Sequence, residues 1–390
     1  MIHVRRLHSP FGPAGRGALY YLGFFTAAGA FAPFINVHFT NLGLSGRQIG
    51  LLATLSPVMT LVFATPLSTL ADRRRWRIRI LVGGLTGYAL LLSLVGVPHT
   101  FSMLVPLMIL LSFFGSPTMS IADSLIARMA ANHLVNYGSM RLWGSIGFAA
   151  SAIAFGALWQ RLGLRLMFPL AGLLFTPVIW FASQLEEGQR KEQSGGRPPS
   201  ESRPWRDSGL VAILLATFLV GVANSVAMTF EGIYMDYLGG GELLIGMLLA
   251  ISAFSELPTM RYSHNILQYL QGPRTLLLAY GLYGCAYLGY ALTQKPSILL
   301  LLAVAKGLGF GLFFSSTVYM ITVRTPDEWS ATAQALMSTG VFGLAPLITG
   351  PLGGTLWDTV GPSAVFAMAS LAVGLAALLI TFASAKAMLN

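Results

Sequence analysis

Gly156-Ala-Leu-Trp159-Gln-Arg-Leu-Gly163 and Gly354-Thr-Leu-Trp357-Asp-Thr-Val-Gly361 share the pattern G-x-L-W-x-x-x-G, 198 residues apart. A second pair repeats at nearly the same offset. Leu42-Gly43 followed by Ile49-Gly50 is matched by Leu238-Gly239 followed by Ile245-Gly246, 196 residues on. Two correspondences at one spacing predict that the 390 residues are two copies of one unit.

The composition says what each copy is made of. Hydrophobic residues make up 55% of the chain and charged residues only 10%, where a water-soluble protein carries about a quarter. The charges are clustered, which leaves apolar stretches long enough to cross a hydrocarbon layer of about 30 Å as helices. Twelve such spans are predicted, at residues 17–41, 47–71, 79–97, 101–127, 139–160, 165–184, 209–237, 243–262, 275–293, 297–321, 331–356 and 363–385. The fold class is therefore all-α integral membrane, in two pseudo-symmetric six-helix bundles. A duplicated apolar chain of this kind is the usual construction of a secondary transporter. Gly83-x-x-x-Gly87, Gly307-x-x-x-Gly311 and Gly350-x-x-x-Gly354 predict close helix contacts.

The formal charge of +10 does not read as a nucleic-acid footprint, because of where it lies. With the N-terminus in the cytoplasm, nineteen Lys and Arg fall in inward-facing segments. Only Arg47, Arg161, Arg165 and Lys295 face outward. That asymmetry predicts both termini inside. Lys306 is left within a span. The apolar run near the N-terminus continues to Phe39, so it reads as a first span rather than a cleavable leader. Cys285 is the single cysteine, which excludes an intrachain disulfide.

The one long polar stretch, 185–208, is rich in Glu, Gln, Arg, Ser, Gly and Pro. It reads as a cytoplasmic linker between an N-terminal bundle, 1–184, and a C-terminal bundle, 209–390. Outer connections such as Val97-Pro98-His99-Thr100 are short and leave no room for an external domain.

Asp72, Arg73, Arg74 and Arg75 close the second span. Their charge is topogenic, and Asp72 with Arg73 is also a candidate conformational latch toward the neighbouring half. Ser68-Thr-Leu70-Ala71-Asp72-Arg73 resembles the loop motif between the second and third helices of the major facilitator superfamily, with Ser68 and Arg75 where that motif has glycines. Tyr137-Gly138-Ser-Met-Arg141-Leu-Trp143-Gly144-Ser145-Ile-Gly147-Phe148 resembles the start of helix five in a branch of that superfamily. The branch holds phenylpropionate-permease-like and nucleoside–proton-symporter-like proteins, and lactose–proton symporters are distant relatives. Asp123, Ser255-Glu256-Leu-Pro258 and Thr332-Ala-Gln334-Ala-Leu336 are similar to the same branch in helices four, eight and eleven. The resemblance implies two bundles rocking about a central site, a proton-coupled cycle, a monomer and a bacterial inner membrane.

The residues themselves make a parallel case. An ionised group at mid-bilayer costs roughly 2.5–3.5 kcal/mol on insertion scales and persists when it faces a polar cavity or a partner. Five are found: Asp123, Arg141, Glu231, Glu256 and Lys306. Depth along the helices sets Asp123 with Arg141 and Glu231 with Lys306, either as structural pairs or as part of a site. Glu256 has no evident basic partner and is the proton-binding candidate, with Asp123 and Glu231 beside it. Arg141, Lys306, Asn36, Asn224, Tyr20 and Tyr234 are the candidate solute contacts. Lactose-type symporters place a His and an acid on helix ten; the region around Lys306 holds neither.

The sequence carries no G-x-x-x-x-G-K-[ST] loop, no H-E-x-x-H, no G-x-S-x-G and no Cys/His metal spacing. No enzyme activity, metal or cofactor is expected. The expected partners are a small solute, protons and the lipid bilayer. Symport of a sugar, nucleoside or aromatic acid is the leading function. Proton-coupled efflux of drugs or metabolites is the alternative, and a non-transporting receptor or scaffold is the third possibility.

Overall fold

A computed structural model describes residues 12–187 and 207–386. Most of the linker therefore lies outside the described residues. Twelve helices are long and apolar enough to cross a membrane, and the described residues contain no strand. They are α1 Pro13–Asn41, α2 Gly46–Arg74, α3 Arg77–Leu94, α4 Phe101–His133, α5 Tyr137–Leu162, α6 Leu164–Ser183, α7 Ser208–Tyr237, α8 Gly241–Arg261, α9 Gly272–Leu292, α10 Pro296–Arg324, α11 Trp329–Thr359 and α12 Pro362–Ala385. A short helix, Ser263–Leu270, lies between α8 and α9.

Contacts divide the chain into two compact units. The first is Met1–His38 with Val58–Glu192; the second is Phe39–Pro57 with Gln193–Asn390. In the first, α1 packs on α5 and α6, and α3 on α4 and α6. In the second, α7 packs on α11 and α12, and α9 on α10 and α12. Each pairing reappears six helices later, as a duplication requires.

The repeated residues have repeated jobs. Gly43 and Gly239 take φ of +79° and +80°. Gly163 and Gly361 take +72° and +119°. All four end a helix in the left-handed region where a side chain is strained. Trp159 of the first copy donates from Nε1 to the Ala30 carbonyl at 2.8 Å and fastens α5 to α1. Trp357 of the second copy stacks on Phe230 of α7.

The three G-x-x-x-G pairs do not behave alike. Cβ atoms on Gly307 and Gly311 would overlap the Ser252 carbonyl and the Thr259 hydroxyl, so these glycines let α10 lie against α8. Gly350 and Gly354 face the Gly50 and Gly46 carbonyls within the second unit. There the start of α2 is also held by Asp358, whose two carboxylate oxygens accept the Gly46 and Arg47 amide protons at 2.7 and 2.9 Å. This is an N-cap supplied from a distant helix. Gly83, by contrast, faces open space.

Two of the long helices carry a π segment. α2 carries a π segment at Thr60–Ala64 just after Pro57, and α11 carries one at Thr339–Leu344 just before Pro346. Proline removes one helix hydrogen bond, and a π turn absorbs the mismatch.

Candidate functional site

In the first unit, α1, α4 and α5 bring Tyr21, Asp123, Tyr137 and Arg141 together. The Tyr21 hydroxyl donates to Asp123 Oδ1 at 2.5 Å and lies 3.0 Å from the Tyr137 hydroxyl. The Arg141 guanidinium sits over the Tyr21 ring at 5.1 Å and the Phe25 ring at 4.4 Å. A cation over an aromatic face is attracted by the ring quadrupole. Small residues on α5 let α1 come this close: Gly147 meets the Leu22 carbonyl, and Ser151 donates to the Thr26 carbonyl at 2.6 Å.

This corrects the expected Asp123–Arg141 pair. The two do not form an ion pair, because Tyr21 stands between them and occupies the carboxylate while its ring holds the guanidinium. Arg141 makes no hydrogen bond to the described residues, so its planar fork of donors is left for another acceptor. Tyr20, a candidate solute contact, is 0% exposed and stacks on Phe24 in the core of the unit. A residue so enclosed does not meet a solute in this state. Asn36 is half-buried in α1.

In the second unit, Glu231 of α7 and Lys306 of α10 meet. Lys306 Nζ lies 2.6 and 2.5 Å from the two Glu231 oxygens, and the pair is almost wholly buried. The Tyr290 hydroxyl of α9 donates to Glu231 Oε1 at 2.8 Å. Both Glu231 oxygens are thus bonded and the charges are paired, the condition under which buried charges are tolerated. Glu256 of α8 is half-buried and interacts electrostatically with Tyr283 of α9. Asn224 of α7 is half-buried, and its amide makes no hydrogen bond to the described residues. Tyr234 is corrected as a solute contact: it is 1% exposed, and its hydroxyl is shared between the Tyr290 and Thr293 carbonyls at 3.0 and 2.8 Å, which pins the end of α9.

Asp72 is bonded inside the first unit. It accepts from Arg77 Nε and lies 3.9 Å from Arg128 Nη2. Arg73 is exposed beside it. Arg75 occupies the glycine position of the loop motif with φ +56°, a left-handed conformation that costs a non-glycine residue about 1–2 kcal/mol. Sequence reasoning missed the Tyr21 bridge, the Asp358 cap and the tyrosine face of α9. The last was readable as Tyr280, Tyr283, Tyr287 and Tyr290, spaced three, four and three apart.

Taken together, twelve membrane-length apolar helices, with helix pairings that recur six helices apart, define a duplicated integral membrane protein. The chain belongs to the MFS_1-like family of the major facilitator superfamily, whose model matches residues 16–368. It is 28% identical over 360 residues to a maltose permease of Geobacillus stearothermophilus, covering 90% of each chain. It is 24% identical over 376 residues to a probable 3-phenylpropionic acid transporter of Escherichia coli strain K12, covering 91% of this chain and 94% of that one. Among solved structures, the nucleoside transporter NupG superposes with a TM-score of 0.80 at 14% identity, covering 97% of this chain and 99% of that one. At that identity the likeness speaks for the fold.

Proposed function

We propose that this transporter is a proton-coupled symporter of a small hydroxyl-bearing solute, of the sugar class, in a bacterial inner membrane with both termini cytoplasmic. The observation that carries the reading is Arg141. It is a guanidinium in a membrane span, held on two aromatic rings and not neutralised by a carboxylate. Such a fork binds paired oxygens, as vicinal hydroxyls or a carboxylate, and the half-buried Phe25 ring beside it offers an apolar surface to a sugar or aromatic face. The names of the relatives, maltose permease and 3-phenylpropionic acid transporter, fit those two oxygen patterns.

Coupling rests on the acids. Asp123 is one hydroxyl away from the ring on which Arg141 sits, so protonating it alters the field at the solute contact. Glu231 and Glu256 are the membrane acids of the second unit. Solute and proton are carried by alternating access, with the membrane potential contributing roughly 2.3 kcal/mol per charge per 100 mV.

Replacing Arg141 tests the reading. Arg141→Lys keeps the charge but removes the planar fork, and we expect solute affinity to fall about tenfold, near 1.4 kcal/mol. Equilibrium binding of labelled maltose and of labelled 3-phenylpropionate to the purified protein measures it. Wild-type affinity in Arg141→Lys for whichever solute binds overturns the assignment.

A further inference from the structure

The charged end of α2 has a counterpart in the second unit that has lost its charge. α2 runs Gly46–Arg74 and ends on Arg75 at φ +56°. α8 starts at Gly241, and the short helix after it, Ser263–Leu270, ends on Gln271 at φ +66°. Arg75 and Gln271 are 196 residues apart, the offset of the repeat. α8 and the short helix together are therefore the second copy of α2, interrupted at Tyr262. At that offset Asp72, Arg73 and Arg74 become Gln268, Tyr269 and Leu270. Where the first copy ends in a charge cluster, the second presents an amide, a phenol and an aliphatic side chain.

Length fixes the depth of this helix. α8 has 21 residues, and at about 1.5 Å each they already cross a hydrocarbon core of about 30 Å. α9, which follows the short helix, also has 21. Residues 262–271 thus lie at the level of the lipid headgroups. Ile266, Leu267 and Leu270 are half-buried, and the helix packs on α9 and α10. Tyr262 and Tyr269, about two turns apart, stand along one border of that apolar face and are 60% and 88% exposed. His264, Asn265 and Gln268 are exposed on the polar side, with His264 and Gln268 hydrogen-bonded to each other at 2.8 Å. An apolar face, an aromatic border and a polar side are the make-up of a helix lying in a membrane interface.

We propose that Ser263–Leu270, with Arg261 before it and Arg274 after it, is a binding surface for negatively charged phospholipid headgroups. Arg261 and Arg274 are exposed, and their guanidinium groups make no ion pair or hydrogen bond among the described residues. Residues 257–326 contain no Asp or Glu, so neither α9 nor α10 brings an acid to the patch. A guanidinium fork suits the paired oxygens of a phosphate, and the two phenols place an apolar ring and a hydroxyl at the same level. Topology alone accounts for the two arginines but not for the uncharged aromatic stretch between them. The surface goes beyond the symport reading and does not depend on which solute is carried.

Photo-crosslinking in lipid tests the surface. The full-length protein carries the photoreactive analogue p-benzoylphenylalanine in place of Tyr269, in vesicles of phosphatidylethanolamine and phosphatidylglycerol in equal amounts. Irradiation is expected to attach lipid at that position, with phosphatidylglycerol captured several-fold over phosphatidylethanolamine, as read by mass spectrometry of the peptide. Adding Arg261→Gln and Arg274→Gln is expected to lower that preference, by up to roughly fivefold for each basic side chain near an anionic surface, until neither lipid is favoured. Arg261→Lys with Arg274→Lys is expected to restore most of it, which a fold defect would not allow. Equal capture of the two lipids with both arginines in place overturns the inference. So do the absence of lipid adducts, adducts to residues 188–206 of the linker, adducts to a second copy of the chain, or a preference that survives the loss of both arginines.

Discussion

Lys306→Ala is expected to lower the stability of the purified protein by about 3–5 kcal/mol, the cost of leaving a buried partner charge uncompensated. Lys306 is only 7% exposed and Glu231 1%. Removing the ammonium leaves the Glu231 carboxylate with a single hydrogen bond, from Tyr290. The companion Glu231→Gln/Lys306→Gln variant removes both charges and is expected to recover most of the loss, because a buried pair contributes little net stability beyond the charge it neutralises. Denaturant or thermal unfolding in detergent, run on the two variants side by side, measures the difference. Equal loss in both would show that packing rather than charge holds this site.

Gly50→Ala is expected to destabilise the protein by about 1–3 kcal/mol, the usual cost of forcing atoms into a packed contact. Ordinarily the change has the opposite sign, since alanine is favoured over glycine in a helix by roughly 1 kcal/mol. At Gly50 the new methyl overlaps the Gly350 carbonyl, and at Gly350 it would overlap the Gly50 carbonyl. Neither atom is the end of a flexible side chain. α2 and α11 must therefore part, and the Asp358 bonds to Gly46 and Arg47 lie on the same seam. Gly83→Ala is the control: that glycine faces open space, and its substitution is expected to be neutral or stabilising. Unfolding temperatures of the two variants that move in the same direction would contradict the seam.

How far the sequence speaks depends on which coordinate of a helix is asked for. Length and hydropathy give position along the axis, and there the reading is good. The spans 17–41 and 209–237 correspond to Pro13–Asn41 and Ser208–Tyr237. Depth alone also set Glu231 level with Lys306, and the two meet. Azimuth is what depth omits. Asp123 and Arg141 are at matching depths, yet Tyr21 from a third helix lies between them. Tyr20, one position away, is equally buried but stacks on Phe24 with its hydroxyl unpartnered, while the Tyr21 hydroxyl reaches Asp123. A rotation of about 100° per residue separates a core phenol from a site phenol, and composition carries no trace of it.

Other features were legible but needed a comparison of the copies. In the repeated signature, Asp358 stands where the first copy has Gln160. The second copy's carboxylate caps the start of α2, so the departure from the repeat marked a contact special to one unit. The tyrosines of α9 follow a helical spacing that predicts one face. Aromatic residues at such spacing are more often core than site, and the Tyr280 and Tyr287 hydroxyls, buried without a hydrogen-bond partner, set this face apart here.

The central claim is that this chain moves a small solute together with protons. Proteoliposomes holding the purified protein, with a pH-sensitive dye inside, test it when sugars, nucleosides and aromatic acids are added outside in turn. The account predicts that one class, with sugars expected first, acidifies the lumen as it enters, and that dissipating the proton gradient abolishes its accumulation. Entry of the solute down its own gradient with no proton movement would contradict the account and return Asp123, Glu231 and Glu256 to structural roles.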